Sequence, residues 1–115
     1  MSFPHAGMIA MRIYGLKTCD TCRKAIRALP GARLVDVRDS PVPDTVLERA
    51  EARFGAALVN TRSTTWRGLD AGERDKAPVA LIRAHPSVMK RPLIETGDTL
   101  YLGWSADVRA ALGVG

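Results

Sequence analysis

Gly15–Gly31 reads GLKTCDTCRKAIRALPG and holds both cysteines of the chain, Cys19 and Cys22, spaced C-x-x-C. Three readings of the pair are open: a redox couple, half of a zinc site, or two small side chains packed close together. Each needs a different setting. A redox couple of this spacing sits near a βαβ unit. A structural zinc needs two further ligands. Packed thiols need only an apolar interior.

The surroundings are read outward from the pair. Met11–Leu16 alternates around Ile13 and Tyr14 and predicts a strand. After Cys19, the residues Ala25, Ile26 and Leu29 share one helical face, and Pro30-Gly31 ends the helix. Ala32–Asp39 (ARLVDVRD) predicts a second strand through Leu34, Val35 and Val37. SPVPDTVLERAEARFG predicts a helix with Pro43 near its first turn, Val46, Leu47, Ala50 and Phe54 on one face, and Gly55 after its end. Ala56–Lys76 is polar and broken, so short helical turns and loops are expected there. APVALIRAHP predicts a short helix ending at His85-Pro86. Leu93–Thr96 and Thr99–Leu102 flank Gly97-Asp98 and predict a hairpin. A last helix is capped by Ser105, with Val108, Ala111 and Leu112 inward and Gly113 as its stop.

The order is β-α-β-α, an irregular and helical stretch, then β-β-α. This is an α/β chain in the thioredoxin arrangement. Residues 1–10 read as a short disordered leader, and residues 11–115 as one domain.

In this setting Cys19 falls at the junction of the first strand and first helix, and Cys22 one turn inside the helix. The unpaired N–H groups and positive dipole end of the helix favour a thiolate at Cys19. Lys17 and Arg23 add to this and Asp20 opposes it. Residues three apart share a helical face, close enough for a disulfide. Cys22, nearer the interior, would then be the resolving thiol. The zinc reading needs two more ligands, and only His5 and His85 are on offer. No metal is expected. The setting favours the redox couple over inert packing.

Composition sets the frame. Apolar residues make up 46% and charged residues 25%, as in an ordinary globular protein. No apolar run approaches a membrane span, and the start lacks the features of a signal peptide, so a cytoplasmic protein is expected. The net charge of +5 suits an anionic ligand. Of the 17 basic residues 13 are arginine and they are dispersed, so nucleic acid is not the expected partner.

Four segments, IYGLKTCDTCRKA, LVNTRSTTWRGL, MKRPLI and LYLGWS, taken in order, resemble the ArsC/Spx family. That family includes glutaredoxin-linked arsenate reductases, the Spx regulators and a YffB-like branch. The resemblance covers about Met11 to Leu112. It implies a thioredoxin-like fold with a four-stranded mixed sheet and an inserted helical segment. It implies that Cys19 is the nucleophile, that Arg23, Arg62 and Arg91 bind substrate or an anion, and that Pro92 is the active-site cis-proline. It implies a thiol-dependent reductase with no bound cofactor, reduced by glutathione or a glutaredoxin. The alternatives within the family are an Spx-like redox switch that binds RNA polymerase and a glutaredoxin-linked arsenate reductase. Arsenate reductases carry two further arginines, at the positions of Asn60 and Gly103 here. Losing two guanidinium forks argues against arsenate as substrate. Cys22 is shared with Spx, while TTWRGL is similar to the YffB-like branch.

Three other expectations concern single residues. Trp66 is expected to pack rather than to carry substrate, and His85 to sit at a helix end. Asn60–Thr65 is expected to form a capping turn.

Overall fold

Ile13 and Tyr14 lie buried in the five-residue strand β1 (Met11–Gly15), where the alternation places them. The computed structural model describes residues 10–114, so the expected leader lies outside the described residues except for Ala10. Helix α1 (Asp20–Ala28) follows, then β2 (Arg33–Asp36), α2 (Asp44–Phe54), the single-turn helices α3 (Thr64–Arg67) and α4 (Ala71–Arg74), α5 (Pro78–Ala84), β3 (Leu93–Thr96), β4 (Thr99–Leu102) and α6 (Ala106–Ala111). Two 3-10 turns, Gly55–Leu58 and Pro86–Val88, complete the list.

The strands form one mixed sheet in the order β2-β1-β3-β4. β1 pairs antiparallel with β3, Ile13 facing Ile94 and Tyr14 facing Leu93. β3 returns to β4 through the predicted turn, in which Gly97 takes a positive φ of 58° that favours glycine. β2 lies on the other side of β1 and is reached through α1, the kind of crossover that parallel neighbours need. The fold class read from the sequence is therefore the fold observed.

The chain divides into two compact units. The first runs to Val35 and resumes at Arg91. Its core is Ile13, Ala25, Leu29 and Ile94, with Ile26, Tyr101, Trp104, Val108 and Leu112 packed against it. Burying an isoleucine side chain is worth roughly 1.5–3 kcal/mol, so this cluster ties α1 to β1 and β3. Trp104 is a packing residue here, and Arg109 donates to its carbonyl oxygen at 2.7 Å. Ala111, expected inward, is exposed. A six-residue helix turns only Val108, with Leu112 just past its end, toward the cluster.

The second unit, Asp36–Lys90, holds α2 to α5. Val46, Leu47 and Ala50 of α2 are buried, as are Val79, Leu81 and Ile82 of α5, and the two helices pack together. Strand β2 was expected to reach Asp39 and stops at Asp36. The buried Asp36 explains this: its Oδ1 accepts from the N–H of Arg38 at 2.9 Å, and its carbonyl oxygen accepts from Asp39 and Ser40. An Asx turn diverts the chain before Val37 can extend the strand. Ser63 caps α3 by accepting from the N–H of Trp66, and Asp70 caps α4 by accepting from that of Glu73. The capping turn expected at Asn60–Thr65 is thus present. His85 caps the end of α5, its N–H donating to Leu81, and its Nε2 lies 2.7 Å from Glu73. No helix among the described residues is long and apolar enough to cross a membrane.

Candidate functional site

The loop between β1 and α1 closes as the N–H of Cys19 donates to Leu16 at 3.1 Å. Cys19 then becomes the N-cap of α1, in extended conformation, and its carbonyl oxygen accepts from Arg23 at 3.0 Å. Thr21 and Cys22 are the second and third helical residues. Their N–H groups are the ones an N-cap side chain meets. The neutral thiol of Cys19 does not act as a cap; its ionised sulfur is what these groups favour.

The two thiols ionise in opposite directions. Burial resists charge on Cys19, but it is outweighed. The N–H of Cys22, the side chain of Cys22, the Arg91 guanidinium and the N–H of Thr21 all favour the thiolate as hydrogen-bond donors and hold its pKa below the ordinary thiol value of 9.0. Cys22 is fully buried. Burial pushes its thiol up to about 11, and Cys19 pushes it further the same way, through both their hydrogen bond and its charge. The backbone of Leu16 and the charge of Arg91 act against the rise. Both cysteines are free thiols.

Arg91 precedes Pro92 through a cis peptide bond, and Pro92 is fully buried. The carbonyl oxygen of Pro92 accepts from the N–H of Gly103 at 2.8 Å, which joins the start of β3 to the end of β4. Cys19, Cys22, Arg91 and Pro92 therefore belong to one unit, and Arg91 reaches the Cys19 sulfur.

The other two arginines singled out in the sequence are placed differently. Arg23 is half exposed, and its Nε donates to the carbonyl oxygen of Lys17 at 2.9 Å. Its Nη1 lies 3.8 Å from Asp20. Arg62 belongs to the second unit. It borders a cavity of about 420 Å³ with Asn60, Thr61 and Lys90, and no acidic residue lines that cavity. Its backbone is held on both sides: the N–H donates to Asn60 Oδ1 at 3.0 Å, and the carbonyl oxygen accepts from Arg67 Nη2 at 2.7 Å. Trp66 is half-buried, with the Arg74 guanidinium 5.3 Å above its ring and bonded to its carbonyl oxygen. That is a packing role. Among the described residues, no group of three or more His, Cys, Asp or Glu side chains could hold a metal ion.

One residue of the site was not singled out from the sequence. Gly15 ends β1, and a Cβ built on it would collide with the Cys22 sulfur and lie 3.3 Å from the Cys22 Cβ. The available signal was a glycine at a strand end four residues before a C-x-x-C pair, where β-propensity disfavours it.

Known proteins resemble this chain in sequence and in fold. The family model described as ArsC family matches residues 14–112. An uncharacterised protein of Haemophilus influenzae is 33% identical over 102 residues, covering 81% of this chain and 90% of that one. The solved structure of a protein called YFFB is similar with a TM-score of 0.79 and 30% identity, over 89% of this chain and 97% of that one. An arsenate reductase related protein from Brucella melitensis is similar with a TM-score of 0.63 and 26% identity, over 90% of this chain and 94% of its own.

Proposed function

Because this chain belongs to the ArsC family, we propose that it is a thiol–disulfide oxidoreductase that draws its electrons from glutathione. The observation that carries this reading is the pair of adjacent thiols, one lowered and one raised in pKa, with an arginine at the lowered one. A nucleophile needs the first property, and a resolving thiol that waits its turn needs the second.

The Cys19 thiolate attacks the mixed disulfide between glutathione and a substrate thiol. A bond forms between Cys19 and the glutathione sulfur, and the substrate leaves as a thiolate that takes up a proton. Cys22 loses its proton and attacks the Cys19 sulfur. The Cys19–Cys22 disulfide forms and glutathione leaves reduced. Two further glutathione molecules, or a glutaredoxin, reduce that disulfide and are themselves oxidised. Over the cycle one mixed disulfide is reduced and one oxidised glutathione is made. Electrons travel on sulfur throughout, so the reaction uses no bound cofactor.

Arg91 is suited to a carboxylate of glutathione beside the nucleophile. In the second unit, Arg62 and Lys90 border a cavity without an acidic lining residue, which by itself suits an anionic group. Arg23 supports the loop that carries Cys19. A reducing cytoplasm would supply the glutathione.

The test is turnover of a glutathionylated peptide with glutathione, read through consumption of oxidised glutathione by glutathione reductase. Activity is expected in the native protein and lost in Cys19→Ser. Absence of turnover, together with a protein partner retained only after oxidation, would replace this reading with that of a redox switch.

A further inference from the structure

Cys22 is fully buried in the first unit, and its position depends on what is missing from its neighbour. Gly15 has no side chain, and the Cys22 sulfur occupies the volume where a Cβ would be. The nearest other atom to that point, Leu34 Cδ1, is 4.0 Å away, so the contact is with Cys22 alone. A cysteine has one rotatable bond before its sulfur, and only staggered positions are available to it. Filling the space at Gly15 would force the sulfur into another of these, and the Cys22 Cβ at 3.3 Å leaves little room to accommodate it by sliding.

We propose that Gly15 is a positioning residue for the resolving thiol: the absence of a side chain at the end of β1 sets the rotamer that points the Cys22 sulfur at Cys19. This rests on the thiol exchange proposed above, and it adds a residue outside the C-x-x-C motif on which the second step depends. The N–H of the adjacent Leu16, at the head of the closing loop, faces the same sulfur. Strand end and loop together thus form a seat for Cys22. The step served is attack of Cys22 on Cys19 once Cys19 carries a glutathione. A Cys22–Cys19 bond forms, the Cys19–glutathione bond breaks, and the leaving glutathione thiolate takes up the proton that Cys22 gave to solvent.

The experiment equilibrates native protein and Gly15→Ala in buffers of defined reduced and oxidised glutathione and counts three species by mass spectrometry: dithiol, mono-glutathionylated protein and internal disulfide. In the native protein the internal disulfide is expected to dominate. In Gly15→Ala the ratio of internal disulfide to glutathionylated protein is expected to fall roughly tenfold or more, because a displaced sulfur lowers the effective concentration of Cys22 at the Cys19–glutathione bond. Melting curves separate positioning from general damage. Gly15→Ala should lower the melting temperature of the native protein, and the same change made in Cys22→Ala should lower it much less, since the sulfur is gone and only the Cβ at 3.3 Å remains in its way. An unchanged ratio in a folded Gly15→Ala would overturn the positioning role and leave the thiol chemistry intact. An equal drop in melting temperature in both backgrounds would make Gly15 a general packing position and overturn it too. No internal disulfide in the native protein at any buffer would instead remove the resolving role of Cys22, and the seat proposed for it.

Discussion

The Nε of Arg23 donates to the carbonyl oxygen of Lys17 across 2.9 Å, tying the first turn of α1 back to the loop that precedes Cys19. An arginine used this way is a brace, and its Nη1 lies 3.8 Å from Asp20. Arg23→Ala is expected to cost about 0.5–1 kcal/mol of stability, the range for one solvent-accessible hydrogen bond. Hydrogen exchange should quicken at Cys19, whose N–H closes the same loop. Glutathione affinity should change little. A tenfold loss of affinity with an unchanged melting curve would return Arg23 to the anion-binding role that the sequence suggested.

Alkylation should distinguish the two thiols. With iodoacetamide and peptide mapping, Cys19 is expected to react first, with a midpoint below 9.0, and Cys22 to stay unlabelled until about pH 11. Arg91→Ala should raise the Cys19 midpoint and weaken glutathione binding roughly ten- to a hundredfold, as expected for a lost charge-assisted bond. Arg91→Lys should recover only part of either effect, because an ammonium lacks the planar fork. Preferential labelling of Cys22 at neutral pH would reverse the assigned roles.

The raised pKa of Cys22 also predicts a pH dependence of folding. The unfolded chain releases this proton near 9.0 and the folded chain near 11. Between those values the folded state binds more protons, so raising the pH favours unfolding. The contribution from Cys22 is fully present below pH 9 and is lost as pH rises toward 11. Denaturant titrations from pH 8 to 11 should show a steeper fall for the native protein than for Cys22→Ala. Comparing slopes rather than absolute stabilities removes the packing effect of the substitution. Parallel slopes would contradict the prediction.

Arsenate turnover with glutathione and a glutaredoxin is expected to be slight. The family resemblance matches Asn60 and Gly103 to positions where arsenate reductases carry arginines, and an arginine at Gly103 is not readily introduced. Its φ is 83°, in the left-handed region, while its N–H is held by Pro92. Gly103→Arg should cost roughly 1–2 kcal/mol, measurable by calorimetry, without conferring arsenite production. Robust arsenite production by the native protein, abolished in Cys19→Ser, would overturn this expectation.

Much of this molecule could be read along the chain because its signals are local. The hairpin of β3 and β4 was placed to the residue, since alternation on both sides and Gly97-Asp98 between them admit few other conformations. The cap at Ser105 and the capping turn at Asn60–Thr65 were legible for the same reason, though which residue of the turn caps was not. What could not be read depends on burial. Asp36 looks like one polar step in an alternating strand, and only its enclosure beside Arg38 makes it a turn. The end of α6 was misread because a short helix gives too few turns to define a face. At the site, the order of the two cysteines followed from helix geometry, whereas the importance of Gly15 did not. A glycine's function here is to yield volume to an atom seven residues away, and periodicity does not detect an absence.

The hydrogen bond between the two sulfurs makes each thiol's charge state a condition on the other. While Cys19 is ionised, its charge is one of the reasons that Cys22 keeps its proton. Capping Cys19 with glutathione erases that charge, and Arg91 then acts on Cys22 without opposition from its neighbour. Completion of the first step would remove one of the contributions that keep Cys22 protonated, while its burial, the largest, remains. In the exchange proposed above the two thiols would thus be interlocked: the ionised outer thiol adds to the burial that keeps the inner one protonated, and that addition is withdrawn once the outer thiol is capped.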